Sequence, residues 1–173
     1  GLRYNRGNIL TQDKHGLNLM AEMRVSKINP EIYAQTGYDF SYSPRINISR
    51  DLSDKFSLSS HLRWTAYDKF NMEDSKRPNS ERRIGLSPRY SFSDKFSASI
   101  GMTYFHTWYP ATASQRNHEK ITFVPSLDYS FNNNLSIGMY WDSTPIASSD
   151  KEVLAKDFGQ KASWGFTLIA TVF

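Results

Sequence analysis

The 173-residue chain contains no cysteine, which excludes a disulfide framework and a thiolate metal site. It also lacks any run near the roughly 18 consecutive apolar residues that a membrane-spanning helix requires. Mean hydropathy is -0.58 and 39% of residues are hydrophobic, so hydropathy alone reads as soluble. No Gly-x-Ser-x-Gly elbow, zinc-ligand spacing or phosphate loop occurs, and no cofactor, metal or nucleic-acid partner is expected. The opening "GLRYNRGN" shows no signal peptide, so an exported protein would be in a mature or trimmed form.

Aromatic residues, in contrast, make up 14% of the chain and gather at the ends of short alternating segments. A hairpin recurs in three copies: "SPRINISRDL SDK FSLSSHLRWTAY", "RRIGLSPRYSF SDK FSASIGMTYFHTWY" and "ITFVPSLDYSF NNN LSIGMYWDS". Each is a strand, a three-residue polar turn and a second strand, and Ser, Asp and Asn suit such turns by bonding to their own backbone. Leu52 and Phe56, Phe92 and Phe96, and Phe131 and Leu135 flank the turns at the same spacing.

Alternation assigns two faces. Phe56, Leu58, Leu62, Trp64 and Ala66 oppose Ser57, Ser59, His61, Arg63, Thr65 and Tyr67. Phe96, Ala98, Ile100, Met102 and Tyr104 oppose Ser97, Ser99, Gly101 and Thr103, and Leu135, Ile137, Met139 and Trp141 oppose Ser136, Gly138, Tyr140 and Asp142. One face is apolar throughout.

A soluble Greek-key sandwich would alternate in the same way, so the connections decide. Short turns alternate with long charged stretches, "DKFNMEDSKRPNSE", "PATASQRNHEK" and "ASSDKEVLAKDFGQKA". Aromatics mark both ends: Phe56, Phe92, Phe96 and Phe131 beside the turns, Trp64, Trp108 and Trp141 near the long loops. Phe56 and Trp64 are eight steps apart, about 20 Å of height for a strand tilted by roughly 40°. The pattern predicts an all-β fold, a transmembrane antiparallel up-and-down β-barrel with short periplasmic turns and long extracellular loops, as one domain over 1–173 in a bacterial outer membrane.

The uncharged end "SWGFTLIATVF" fits a strand that closes such a barrel, leaving no free edge. Its facing is open, since Thr171, Ile169, Thr167 and Gly165 alternate with the more apolar Val172, Ala170, Leu168, Phe166 and Trp164. Seven strands are clear over 45–173. With both termini on the short-turn side the count is even. A strand over 2–10, the loop "TQDKHG", a strand over 17–27, a turn at Asn29-Pro30 and a strand over 31–40 give ten, with a tight outer connection near 40–43. If 31–40 is an outer loop and 1–16 is not a strand, the barrel has eight.

The segment "FNMEDSKRPNSERR" resembles a loop of the monomeric porin OmpG, and "LRYNRGN" followed by "HGLNLMAEMRVSK" resembles the first hairpin of the oligogalacturonate-specific porin (KdgM) family. Members of that family usually have twelve strands on a longer chain. The resemblance implies a narrow monomeric channel for acidic oligosaccharides, lined by basic residues. The terminal strand ending in Phe173 is similar to the C-terminal signal of bacterial outer-membrane proteins, which implies the barrel-assembly machinery as a partner.

Read independently, the larger inward groups are Arg24, Arg45, Arg63, Arg83 and Arg89, with His61. Guanidinium forks bind carboxylates bidentately, which suits a track for acidic sugars. Glu22, Asp39, Asp128 and Asp142 also point inward, so the arginines serve equally well as ion-pair struts. Net charge of +4 does not separate these readings, because basic loops also suit the phosphates of lipopolysaccharide. His106, Asp142 and Ser143 offer the pieces of a catalytic triad near the outer rim, but alternation puts His106 on the apolar face and Asp142 on the polar one. The sequence therefore favours a porin over an enzyme, with a closed barrel that anchors or adheres through its loops as the alternative.

Overall fold

The computed structural model describes residues 2–27, 38–69, 78–109, 117–132, 134–149, 152–155 and 162–170. Strand β1 (Leu2–Leu10) passes through one helical turn, α1 (Gln12–His15), into β2 (Asn18–Lys27). There follow β3 (Tyr38–Asp51), β4 (Phe56–Lys69), β5 (Ser80–Ser91), β6 (Phe96–Trp108), β7 (His118–Asn132) and β8 (Leu135–Ser149). The short β9 (Glu152–Ala155) and β10 (Ser163–Ala170) complete the described elements. The fold is all-β, one antiparallel up-and-down sheet in the order β1-β2-β3-β4-β5-β6-β7-β8-β10, with β9 paired to the far half of β8. Among the described residues the sheet is open, with β1 and β10 as its edges.

The repeated turns explain the repeated hairpins. In the first, Phe56 N–H donates to the Ser53 carbonyl at 3.3 Å, and the Ser53 hydroxyl accepts from the N–H groups of Lys55 and Phe56 at 3.3 and 3.1 Å. Ser93, Lys95 and Phe96 repeat this arrangement at the same distances. At the third turn the Asn132 side chain accepts from Asn134 N–H at 2.8 Å. The short polar side chain thus supplies the acceptor that the tight turn needs. At the same end of the sheet Gln12 Oε1 accepts from Asp51 N–H at 2.7 Å, tying the β1-β2 connection to the end of β3.

The seven strands expected over 45–173 are present as β3 to β8 and β10. The N-terminal third differs. Tyr38–Asp51 is one continuous strand paired directly to β2, so there is no tight connection at 40–43 and Tyr38 to Phe40 begin β3 rather than end another strand. The turn at Asn29-Pro30 and the rest of the strand expected over 31–40 lie outside the described residues, as do Phe173 and the centres of the long loops. The last of those loops is partly strand, since β9 pairs with 146–149.

The termini also differ from expectation. Leu10 and Ala170 both lie at the short-turn end, opposite Leu19 and Leu135, whereas Leu2 and Ser163 lie at the long-loop end, opposite Val25 and Asp142. Strands β1 and β10 therefore run in the same direction. This is the parity of nine strands on the main path, which an even count would not give.

Register confirms the two faces. Trp164, Phe166 and Leu168 of β10 stand opposite Trp141, Met139 and Ile137, so the apolar set of the last strand shares the apolar face. That face is the exposed one: Leu62, Ile84, Leu86, Ile100, Leu127 and Ile137 are all between 39% and 46% accessible. On the polar face, Ser43, Thr65, Ser97 and Thr107 are buried. Burial is inverted relative to a protein that folds around an oily core.

Candidate functional site

The polar face is built by every second residue of each strand, and the registers stack these residues into rows. One row reads Glu22, Arg45, Arg63, Arg83, Phe105 and Lys120 across β2 to β7, each directly opposite the next. Directly opposed side chains start with their β-carbons about 5 Å apart, and like charges so placed repel. Three adjacent arginines in one row are therefore held against an electrostatic cost.

Their neighbours show how they are held. Arg63 Nε donates to the Ser43 hydroxyl at 2.6 Å, and Ser43 and Thr65 share a hydroxyl contact of 2.9 Å. Arg83 pairs with Glu81, two residues back on the same strand and face. It also lies over the Phe105 ring at 5.0 Å, and Lys120 Nζ lies 4.7 Å from the same ring. The ring separates two cations and attracts both through its quadrupole. Arg24, one row nearer the long loops, contacts Glu22 at 3.9 Å. The Arg45 Nε is buried with no hydrogen-bond partner among the described residues.

The six residues singled out from sequence do not form one cluster. Arg45, Arg63 and Arg83 form the row and Arg24 joins it from above. His61 lies one step below, opposite Gly85, with its imidazole over the bare glycine backbone, where a β-carbon would collide with the ring. Arg89 stands apart near the short turns, opposite Ser57 and Ser99, and donates to the Ser97 hydroxyl at 2.7 Å. Lys120, Phe105 and Glu81 were not singled out. Alternation places each on the polar face, but only the cross-strand register reveals that they join the row.

Small residues dominate that face on the short-turn side. Ser49, Ser59 and Ser87 stand directly opposite one another, and Ser99 and Ser126 share a hydroxyl contact of 2.7 Å. Two further glycines accept a large neighbour as Gly85 does: Asp128 reaches over Gly138, and the Tyr140 ring covers Gly165. Of the acidic residues expected inward, Glu22, Asp128 and Asp142 lie on this face, while the Asp39 side chain lies outside the described set.

The opposite face is closed by aromatic rows. Near the short turns Phe92 and Phe96 stack at 5.2 Å, with Tyr90 and Tyr129 packed edge-on against Phe92 and Phe131. Towards the long loops stand Trp64, Trp108, Trp141 and Trp164, the last two 6.4 Å apart. Charge returns here: Arg82 lies over the Trp108 ring at 5.1 Å, and His106 contacts Glu119 at 3.0 Å. The candidate triad does not assemble. His106 and Asp142 are on different faces, and the Ser143 hydroxyl donates to the Phe123 carbonyl at 3.2 Å. Comparison with known protein families, curated proteins and solved structures finds no match for this chain.

Proposed function

We propose that this chain forms a transmembrane β-barrel of the bacterial outer membrane and acts as a porin-like channel for small hydrophilic solutes, acidic oligosaccharides foremost. The observation that carries the reading is the inverted burial: a continuous exposed apolar face backed by a sheltered polar one. A contiguous apolar surface of that size in water is an aggregation surface, whereas in a bilayer it is the solvated face. On β6 the uncharged outer run between Phe96 and Tyr104 covers eight steps, about 20 Å of height at a tilt of roughly 40°. Aromatic rows bound it on both sides, as interfacial rings do. Outward groups beyond it, such as Arg82, then meet lipid head groups and the phosphates of lipopolysaccharide.

Within the barrel the row Arg45, Arg63 and Arg83, extended by Lys120, forms a cationic rib on one wall, and the serine-lined region below it leaves room. Glu22 and Glu81 offset part of this charge and leave an excess of cations at that level. Fixed cations in a narrow wall concentrate anions, and adjacent guanidinium forks suit carboxylates on successive sugars. The channel is read as monomeric, with folding by the barrel-assembly machinery through the last strand. The pairs Arg24 with Glu22 and Arg83 with Glu81 support the alternative, a filled barrel that anchors or adheres through its loops. Planar-bilayer recording of the folded protein decides between them: steady ohmic conductance, blocked by oligogalacturonate more than by a neutral oligosaccharide of equal length, is the expected result. Silence from folded protein would favour the anchor.

A further inference from the structure

The exposed face changes character in a single step. The row Leu62, Ile84, Tyr104 and Ile121 crosses β4 to β7, and the next row towards the long loops reads Trp64, Arg82, His106 and Glu119, each directly opposite the next. Two opposite charges therefore stand on the apolar face at the level of the tryptophans, with β6 between them.

Both charges are held against β6. The Arg82 guanidinium lies over the Trp108 ring at 5.1 Å, and the His106 ring stacks on the same indole at 3.9 Å and 15°. His106 Nδ1 lies 3.0 Å from Glu119 Oε1 and 3.2 Å from the Tyr104 hydroxyl. A carboxylate can only accept, so Nδ1 carries the hydrogen and donates it to Glu119. Glu119 is still 46% exposed in this contact. Arg82 is exposed as well and, among the described residues, has no carboxylate partner.

With a neutral imidazole the charges of this cluster sum to zero. A purely anionic head group would gain Arg82 but face Glu119, whereas a zwitterion satisfies both. Spacing points the same way. Arg82 and Glu119 are two strands apart, about 9.5 Å between their backbones. Two charge-assisted hydrogen bonds of about 2.8 Å leave roughly 4 Å for the ligand, the reach of a two-carbon linker between a phosphate oxygen and an ammonium.

We propose that Arg82, His106, Trp108 and Glu119 form a binding site for a membrane-lipid head group that carries a phosphate and a primary ammonium, the chemistry of phosphoethanolamine. The Arg82 fork takes the phosphate oxygens, the Glu119 carboxylate takes the ammonium, and the Trp108–His106 stack holds the two charges at their separation. The site rests on the reading of this face as lipid-facing and goes further by naming the head group it selects.

The test uses the full chain folded into vesicles of phosphatidylethanolamine, phosphatidylcholine and phosphatidylglycerol in equal amounts, extracted in mild detergent, with the retained lipid read by mass spectrometry. Phosphatidylethanolamine should be enriched about fivefold or more over each of the others, because choline has no N–H to donate and glycerol has no cation. Arg82→Gln should lower retention of all three lipids, and Glu119→Gln should abolish the preference for ethanolamine over choline. Arg50→Gln removes another exposed arginine of the same face, opposite Leu58 near the short turns, and should leave that preference unchanged. Equal retention of the ethanolamine and choline lipids by the unsubstituted protein would overturn the proposal whether or not any variant folds, as would a Glu119→Gln protein that keeps the preference. Protein that fails to enter the vesicles would overturn the membrane reading itself; inserted protein without the preference would remove the site and leave that reading standing.

Discussion

Arg45 and Arg63 stand directly opposite each other on β3 and β4, like charges in a position where a sheet ordinarily sets opposite ones or none. Both project into the sheltered face, where Ser43 and Thr65 are buried beside them. Replacing Arg63 with Gln removes the repulsion and the contact to Ser43 together, so unfolding free energy in urea should stay within about 1 kcal/mol of the parent protein. A loss of about 3 kcal/mol or more would identify Arg63 as a strut whose removal strands a buried partner.

The glycine seats give a second expectation. Gly85 lies under the His61 imidazole, whereas a β-carbon at Gly101 would make only ordinary contacts, the nearest 3.5 Å away at the Val124 carbonyl. Gly85→Ala should therefore cost about 1 to 3 kcal/mol and Gly101→Ala much less, and His61→Ala should relieve the Gly85→Ala penalty in a double-mutant cycle. Equal costs at the two glycines would contradict the placement of the imidazole.

Lipid contact is tested by charge. Leu58 and Ile100 lie on the apolar face and Ser59 and Gly101 on the polar one. In bilayers, arginine at either of the first two should cost about 2 to 4 kcal/mol of folding stability, and less at the second two. A water-soluble sheet would tolerate Ile100→Arg well, because that side chain is already exposed. Similar penalties on both faces would contradict the assigned parity.

The four tryptophans offer a spectroscopic check. Trp64, Trp108, Trp141 and Trp164 all fall on the apolar face towards the long loops. Lipids brominated near the head group should quench their emission strongly, and lipids brominated near the chain ends should quench it less, as expected for an interfacial belt. No quenching by either would place this face outside the bilayer.

Much of this was legible in the sequence because a period of two fixes facing wherever one side of a strand is apolar. The hairpins from β3 to β8 follow from alternation and from Ser53, Ser93 and Asn132 at their turns. Between β2 and β3 the pattern misleads: Tyr38 and Phe40 read equally well as the end of one strand or the start of another, and only pairing with Lys27 and Lys69 assigns them. The facing of β10 was ambiguous because Ile169 is apolar on the polar side, and the register with β8 settles it. The cationic rib was only half visible. Alternation identifies Arg45, Arg63 and Arg83 as inward, but their common level and the place of Phe105 and Lys120 beside them depend on registers across five strands.

Ion selectivity tests the central claim most directly. The reversal potential of single channels in a potassium chloride gradient should indicate preference for chloride, and Arg45→Gln/Arg63→Gln should shift it towards potassium while weakening block by oligogalacturonate more than block by a neutral oligosaccharide. A reversal potential unchanged by the double substitution, in channels that still conduct, would contradict the role given to the arginine row.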